Sequence, residues 1–91
     1  MDNSIRVSED FRDYIESLHY EKIARADLIL FMLTSGMDND EMFTKIQDEY
    51  TDFYIQCELA KKLLEEIYLE PIGKSKSHWS LDFRSCEVTY K

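Results

Sequence analysis

Two long stretches with apolar residues at helical spacing, separated at Gly36 and followed by a tail that alternates apolar and polar residues, define this chain. That pattern restricts it to a helical hairpin carrying a β appendage. Such a scaffold consumes nearly every residue and leaves little sequence for chemistry.

Ser8 is the expected N-cap of the first helix, because Glu9 and Asp10 follow it where carboxylates favour a helix N-terminus. Phe11, Ile15, Leu18, Ile23, Ala26, Leu30 and Leu33 then recur at steps of three to five, so helix 1 is expected over about 8–35 with this stripe inward. Gly36 suits a left-handed C-cap, and Asp38 with Glu41 reads as a capping box opening the second helix. Met42, Ile46, Phe53, Cys57, Ala60, Leu64 and Ile67 form the apolar face of that helix, widened by Phe43, Tyr50, Leu59 and Leu63. Pro71 disfavours helical geometry at Glu70, which places helix 2 over about 39–70, roughly 45 Å of helix at 1.5 Å per residue. With so short a connection the helices pack antiparallel, and residues whose numbers add to about 75 face each other.

Residues 71–78 read as a polar connector, and Met1 to Val7 as a leader. Beyond the connector the period changes to two. Trp79, Leu81 and Phe83 alternate with polar residues, as do Cys86, Val88 and Tyr90, with a slip of parity between the runs that a hairpin over 79–90 explains. The expected pairs are Trp79 with Tyr90, Leu81 with Val88, and Phe83 with Cys86; Arg84-Ser85 is poor primed-turn chemistry, so a bulge or a longer loop stays open.

The whole chain, 1–91, is read as one domain, small enough that its stability margin is thin. Helices this apolar, with no third helix to cover them, are expected to dimerise into a four-helix bundle. With 33% charged residues and no apolar run near the roughly 18–20 residues of a membrane span, the chain is expected in the cytoplasm and off the membrane. A net charge of -8 repels phosphate, so no direct nucleic-acid binding is expected; the small basic loop of Lys74, Lys76 and His78 does not reverse this.

Chemistry finds little support. Glu16 and His19 share a helix face at the spacing used by di-iron carboxylate bundles, with Glu49 as a third candidate ligand. In the hairpin register, however, His19 lies opposite Gln56 and Glu49 opposite Ala26, about 10 Å apart along the axis, so only a ferritin-like dimer would unite them. Cys57 and Cys86 read as buried thiols, and two glycines build no phosphate-cradling loop. No cofactor and no catalytic residues are expected; the chain is read as non-enzymatic. The aromatic residues are the remaining lead: Tyr50, Phe53, Tyr54, Trp79 and Tyr90 are the expected partner-binding residues, for another protein or peptide as well as a second copy. An acidic, phage-type inhibitor of a basic nucleic-acid-binding protein is the other class such charge permits.

Three stretches carry a family resemblance: Val7-Ser8-Glu9 through Leu18-His19-Tyr20-Glu21-Lys22 to Leu28-Ile29-Leu30, Met42-Phe43-Thr44-Lys45-Ile46, and the tail from Trp79 to Val88. In these the chain resembles small bacterial accessory proteins encoded with Cys-repeat (CXXX repeat) peptides and the radical enzymes that modify them. The resemblance implies an adaptor role in a peptide-modification system and assigns no catalytic residues.

Overall fold

The computed structural model describes residues 3–91 and is mainly helical, with a small antiparallel sheet. Helix α1 spans Glu9–Thr34 and helix α2 Glu41–Leu64; the strands are β1 (Ser4–Arg6), β2 (Trp79–Asp82) and β3 (Glu87–Tyr90), in sheet order β1-β3-β2. The described residues divide into two compact units, residues 17–58 and residues 3–16 with 59–91.

Caps form where polar side chains and glycines permit. Ser8 Oγ accepts the Phe11 N–H at 3.1 Å, closing the start of α1 as its sequence demands. At the other end Gly36 adopts φ 72°, the Met37 N–H reaches the Met32 carbonyl at 2.8 Å and the Gly36 N–H the Leu33 carbonyl at 3.3 Å, the paired bonds of a Schellman closure. A Cβ at Gly36 would meet nothing within 4 Å, so Gly36→Ala isolates the backbone cost. The expected loss is about 1 kcal/mol, a fall in Tm of about 4–8 °C by circular dichroism, and an unchanged Tm would refute it. The cap of α2 is Asp40, whose Oδ1 accepts the Met42 N–H at 2.9 Å, and not the expected Asp38–Glu41 box. Asp40 wins because it stands immediately before the first helical residue, where its carboxylate reaches the second free N–H.

In the unit of residues 17–58 the helices run antiparallel and close on Met32, Phe43 and Ile46, with Ile29 against them. Ile29 with Ile46 and Arg25 with Glu49 hold the register inferred from the loop length. The inward face of α1 differs from expectation. Lys22, Arg25, Ile29 and Met32 turn inward, while Ile23, Ala26, Leu30 and Leu33 are exposed.

The second unit is built around Val7, Leu64, Leu69, Cys86 and Val88. Its sheet has three strands where two were expected, because Ser4-Ile5-Arg6-Val7 alternates like a strand and pairs with β3, Ile5 opposite Val88. Met1 and Asp2, the start of the expected leader, lie outside the described residues. The hairpin keeps the expected register, Trp79 opposite Tyr90 and Leu81 opposite Val88, but turns through four residues, Phe83 to Cys86. Asp82 makes that loop: its Oδ1 accepts the Arg84 N–H and its carbonyl the Cys86 N–H, both at 2.9 Å.

Helix 2 does not end at Glu70. After Leu64 the chain forms a π-helical turn, Glu65–Leu69, then a 3-10 turn, Glu70–Ile72, that takes Pro71 in its first positions and closes on Gly73 at φ 72°. Bonding to the fifth residue inserts one residue into the helical path, which brings Leu64 and Leu69 to the same core. Continuing the α period would have buried Ile67, which is exposed, as are Met42, Leu59 and Leu63 of the expected apolar face.

Candidate functional site

Helix α1 is apolar all round over Leu28 to Leu33, yet only Ile29 and Met32 of that stretch are covered. Leu30 is 62% exposed, Phe31 59% and Leu33 51%. A helix hydrophobic on every side belongs in an interior. With Ile23 and Ala26, Leu30 and Leu33 follow the 3-4-3 spacing of a helix-packing seam, turned about 100° from the seam that faces α2.

Two cations explain why the helix rotates this way. Lys22 and Arg25 occupy inward positions with their aliphatic stems half-buried and their charges over aromatic rings: Lys22 Nζ lies 5.5 Å from the Tyr54 centroid, and the Arg25 guanidinium 4.9 Å from that of Phe53. Arg25 also pairs with Glu21 one turn earlier and, at 3.4 Å, with Glu49 on α2. Glu49 is thereby engaged with a guanidinium, while the His19 ring lies tilted against that of Tyr20, 5.9 Å between centroids. Glu16, His19 and Glu49 are not gathered together, and among the described residues no group of three or more His, Cys, Asp or Glu is placed to hold a metal ion.

The expected partner-binding residues fall in two groups. Tyr50, Phe53 and Tyr54 belong to the unit of residues 17–58, where Tyr50 and Tyr54 lie 6.3 Å apart and Phe53 is roofed by Arg25. Trp79 and Tyr90 belong to the other unit and pack on its core as a cross-strand pair, and the Trp79 indole N–H donates to Glu65 Oε1 at 3.1 Å. Beside them His78, Ser80, Thr89 and Lys91 complete the rim of an open depression of about 260 Å³. Cys57 and Cys86 are both buried free thiols.

The hairpin loop is gripped from two directions. Arg12 Nη1 donates to the Phe83 carbonyl at 2.5 Å, while its Nε donates to Asp13 Oδ1 at 2.6 Å, which pushes the guanidinium pKa further above its usual value. From the other side the Val7 N–H donates to the Cys86 carbonyl at 2.8 Å. Tyr68 on the π turn accepts the Ser8 N–H at 3.0 Å and meets Phe11 edge-on at 5.8 Å.

The exposed seam on α1 was missed in the sequence because Ile23, Leu30 and Leu33 were counted as interior. The signal that would have found it is the 4-3-4-3 run Phe11, Ile15, Leu18, Lys22, Arg25, Ile29, Met32, once long cations are allowed into a seam. Among the described residues no helix is long and apolar enough to cross a membrane. No family model, curated protein or solved structure matches the chain.

Proposed function

We propose that this protein is a non-enzymatic interaction or adaptor module that works as a homodimer and binds a second protein or peptide, as an accessory of a bacterial peptide-modification system. The observation that carries the reading is the seam Ile23, Ala26, Leu30 and Leu33, left open on a helix whose neighbouring face is already packed. Burying one such leucine supplies about 1.5–3 kcal/mol, so a partner helix laid on the seam gains several kcal/mol before the costs of association. The resemblance in Leu28-Ile29-Leu30 and in the tail from Trp79 to Val88 supplies the class of partner: a Cys-repeat peptide or the enzyme that modifies it.

The test is calorimetric titration of the protein with a Cys-repeat peptide and with a radical enzyme that modifies such peptides. Binding of one of them is expected, weakened by about tenfold or more in the Leu30→Gln, Leu33→Gln double variant, whose helical circular dichroism should match that of the parent. Failure of both titrations would end the accessory reading.

A further inference from the structure

Strand β2 is an open edge. In an antiparallel ladder the residues of a strand take turns pointing their N–H and C=O toward one neighbour and then away. The Lys91 N–H donates to the His78 carbonyl, so His78, Ser80 and Asp82 point their backbone groups at β3. Trp79 and Leu81 therefore aim theirs outward, and among the described residues no backbone hydrogen bond outside the sheet reaches them. Natural edges are blunted by charge, proline or a bulge. The opposite edge, β1, is three residues long and includes Arg6; β2 has neither a cation nor a proline from Trp79 to Leu81, and Trp79 is fixed by its indole bond to Glu65.

We propose that β2 pairs antiparallel with β2 of a second copy about a two-fold axis through Ser80. This rests on the homodimer reading above and assigns that dimer its surface. The register follows from the ladder. Outward-facing residues must meet outward-facing residues, so Trp79 pairs with the partner's Leu81, and Leu81 with the partner's Trp79, each pair exchanging both backbone hydrogen bonds. A pivot on Leu81 would set Trp79 against Phe83 in the turn, and a pivot on Trp79 would recruit Lys76 and Ser77 from outside the strand. The pivot on Ser80 alone centres on β2.

Donor and acceptor complementarity selects the same register. It sets His78 opposite the partner's Asp82 and Asp82 opposite the partner's His78, so the chain supplies both halves of each pair. One Asp82 oxygen holds the Arg84 N–H, which leaves the other for the imidazole. On the inner face the half-buried Trp79 and Leu81 extend one apolar surface across the axis. The joined sheet has six strands, in the usual size range for sheets. The contact uses none of the residues of the α1 seam, which stays available to a different partner.

Ser80 faces its own copy in a non-hydrogen-bonded pair, where Cβ atoms lie about 4.5–5.5 Å apart, within reach of a disulfide after slight adjustment. The experiment is light scattering of the full chain at high micromolar concentration, with air oxidation of Ser80→Cys and of Thr89→Cys, both at exposed positions on the outer face. A dimer is expected, with Ser80→Cys joining covalently to itself and Thr89→Cys remaining uncrosslinked, and with Ser80→Lys monomeric at unchanged circular dichroism because two cations would meet on the axis. A parent dimer whose Ser80→Cys form does not crosslink and whose Ser80→Lys form stays dimeric overturns the β2 assignment and leaves the homodimer reading standing. A strictly monomeric parent overturns both.

Discussion

Truncating Leu64 to alanine is expected to cost about 3–4 kcal/mol, the middle of the range for buried leucines. Leu64 is 0% exposed and sits among Val7, Leu69, Cys86 and Val88, side chains contributed by the arm before α1, the π turn and the end of the hairpin. Those neighbours cannot all move in to fill the space, because each is fixed by a different constraint. Val7 and Cys86 are joined by a backbone hydrogen bond at 2.8 Å, Val88 is paired with both flanking strands, and Leu69 is held by the 2.8 Å bond from the Lys74 N–H to its carbonyl. A chain of this length has a total stability on the order of 5–10 kcal/mol, so the variant should lose a third or more of it. The Tm should fall by roughly 15 °C or more. Urea unfolding followed by circular dichroism measures the difference; a loss below about 1 kcal/mol would show that this core collapses around the gap and is not packed as described.

Why Leu64 and Leu69 share a core marks the limit of what periodicity reveals. The α period runs cleanly to Leu64, and reading it onward selects Ile67, because nothing in Glu65-Glu66-Ile67-Tyr68-Leu69 announces a π turn. Tertiary demand decides it: the extra residue turns Leu69 into the core and sets Tyr68 to receive the Ser8 N–H. The hairpin register was legible because alternation with a parity slip is a strong signal, whereas β1 was not, since four alternating residues before a cap are too few to separate from a leader.

That apolar surface is left over was legible in the sequence, and the part of α1 that carries it was not. An excess of apolar residues over what a hairpin can hide was visible in the composition of both helices. Its location depended on which side of α1 meets α2, and there the hydrophobic count misleads by one residue: Ile23 and Ala26 look more interior than Lys22 and Arg25. The two cations displace them because each brings a long aliphatic stem and finds an aromatic face, Tyr54 for Lys22 and Phe53 for Arg25, with Glu49 and Glu21 balancing the arginine. The displaced residues become the open seam, and Phe53, one of the aromatics expected to bind a partner, carries the Arg25 guanidinium over its ring.

Cys86 gives the sharpest test of whether backbone or packing governs the hairpin loop. It is 2% exposed, which by volume alone would welcome valine, yet its φ is 59°, in the left-handed region. That conformation costs an ordinary L-residue about 1–2 kcal/mol and is a genuine outlier for a β-branched one, whose second γ substituent crowds the backbone. Cys86→Val should therefore lose about 2 kcal/mol, the added crowding of the second γ substituent against a left-handed backbone. Cys86→Gly removes the sulfur's contacts but relieves the left-handed strain, so its loss should be only about 1 kcal/mol. The smaller residue is expected to be the better replacement inside a core, an inversion that packing alone never produces. Paired urea titrations decide it: if valine is tolerated and glycine is the damaging change, contacts with Val7, Leu64 and Val88 set the loop, and the left-handed turn at Cys86 is incidental.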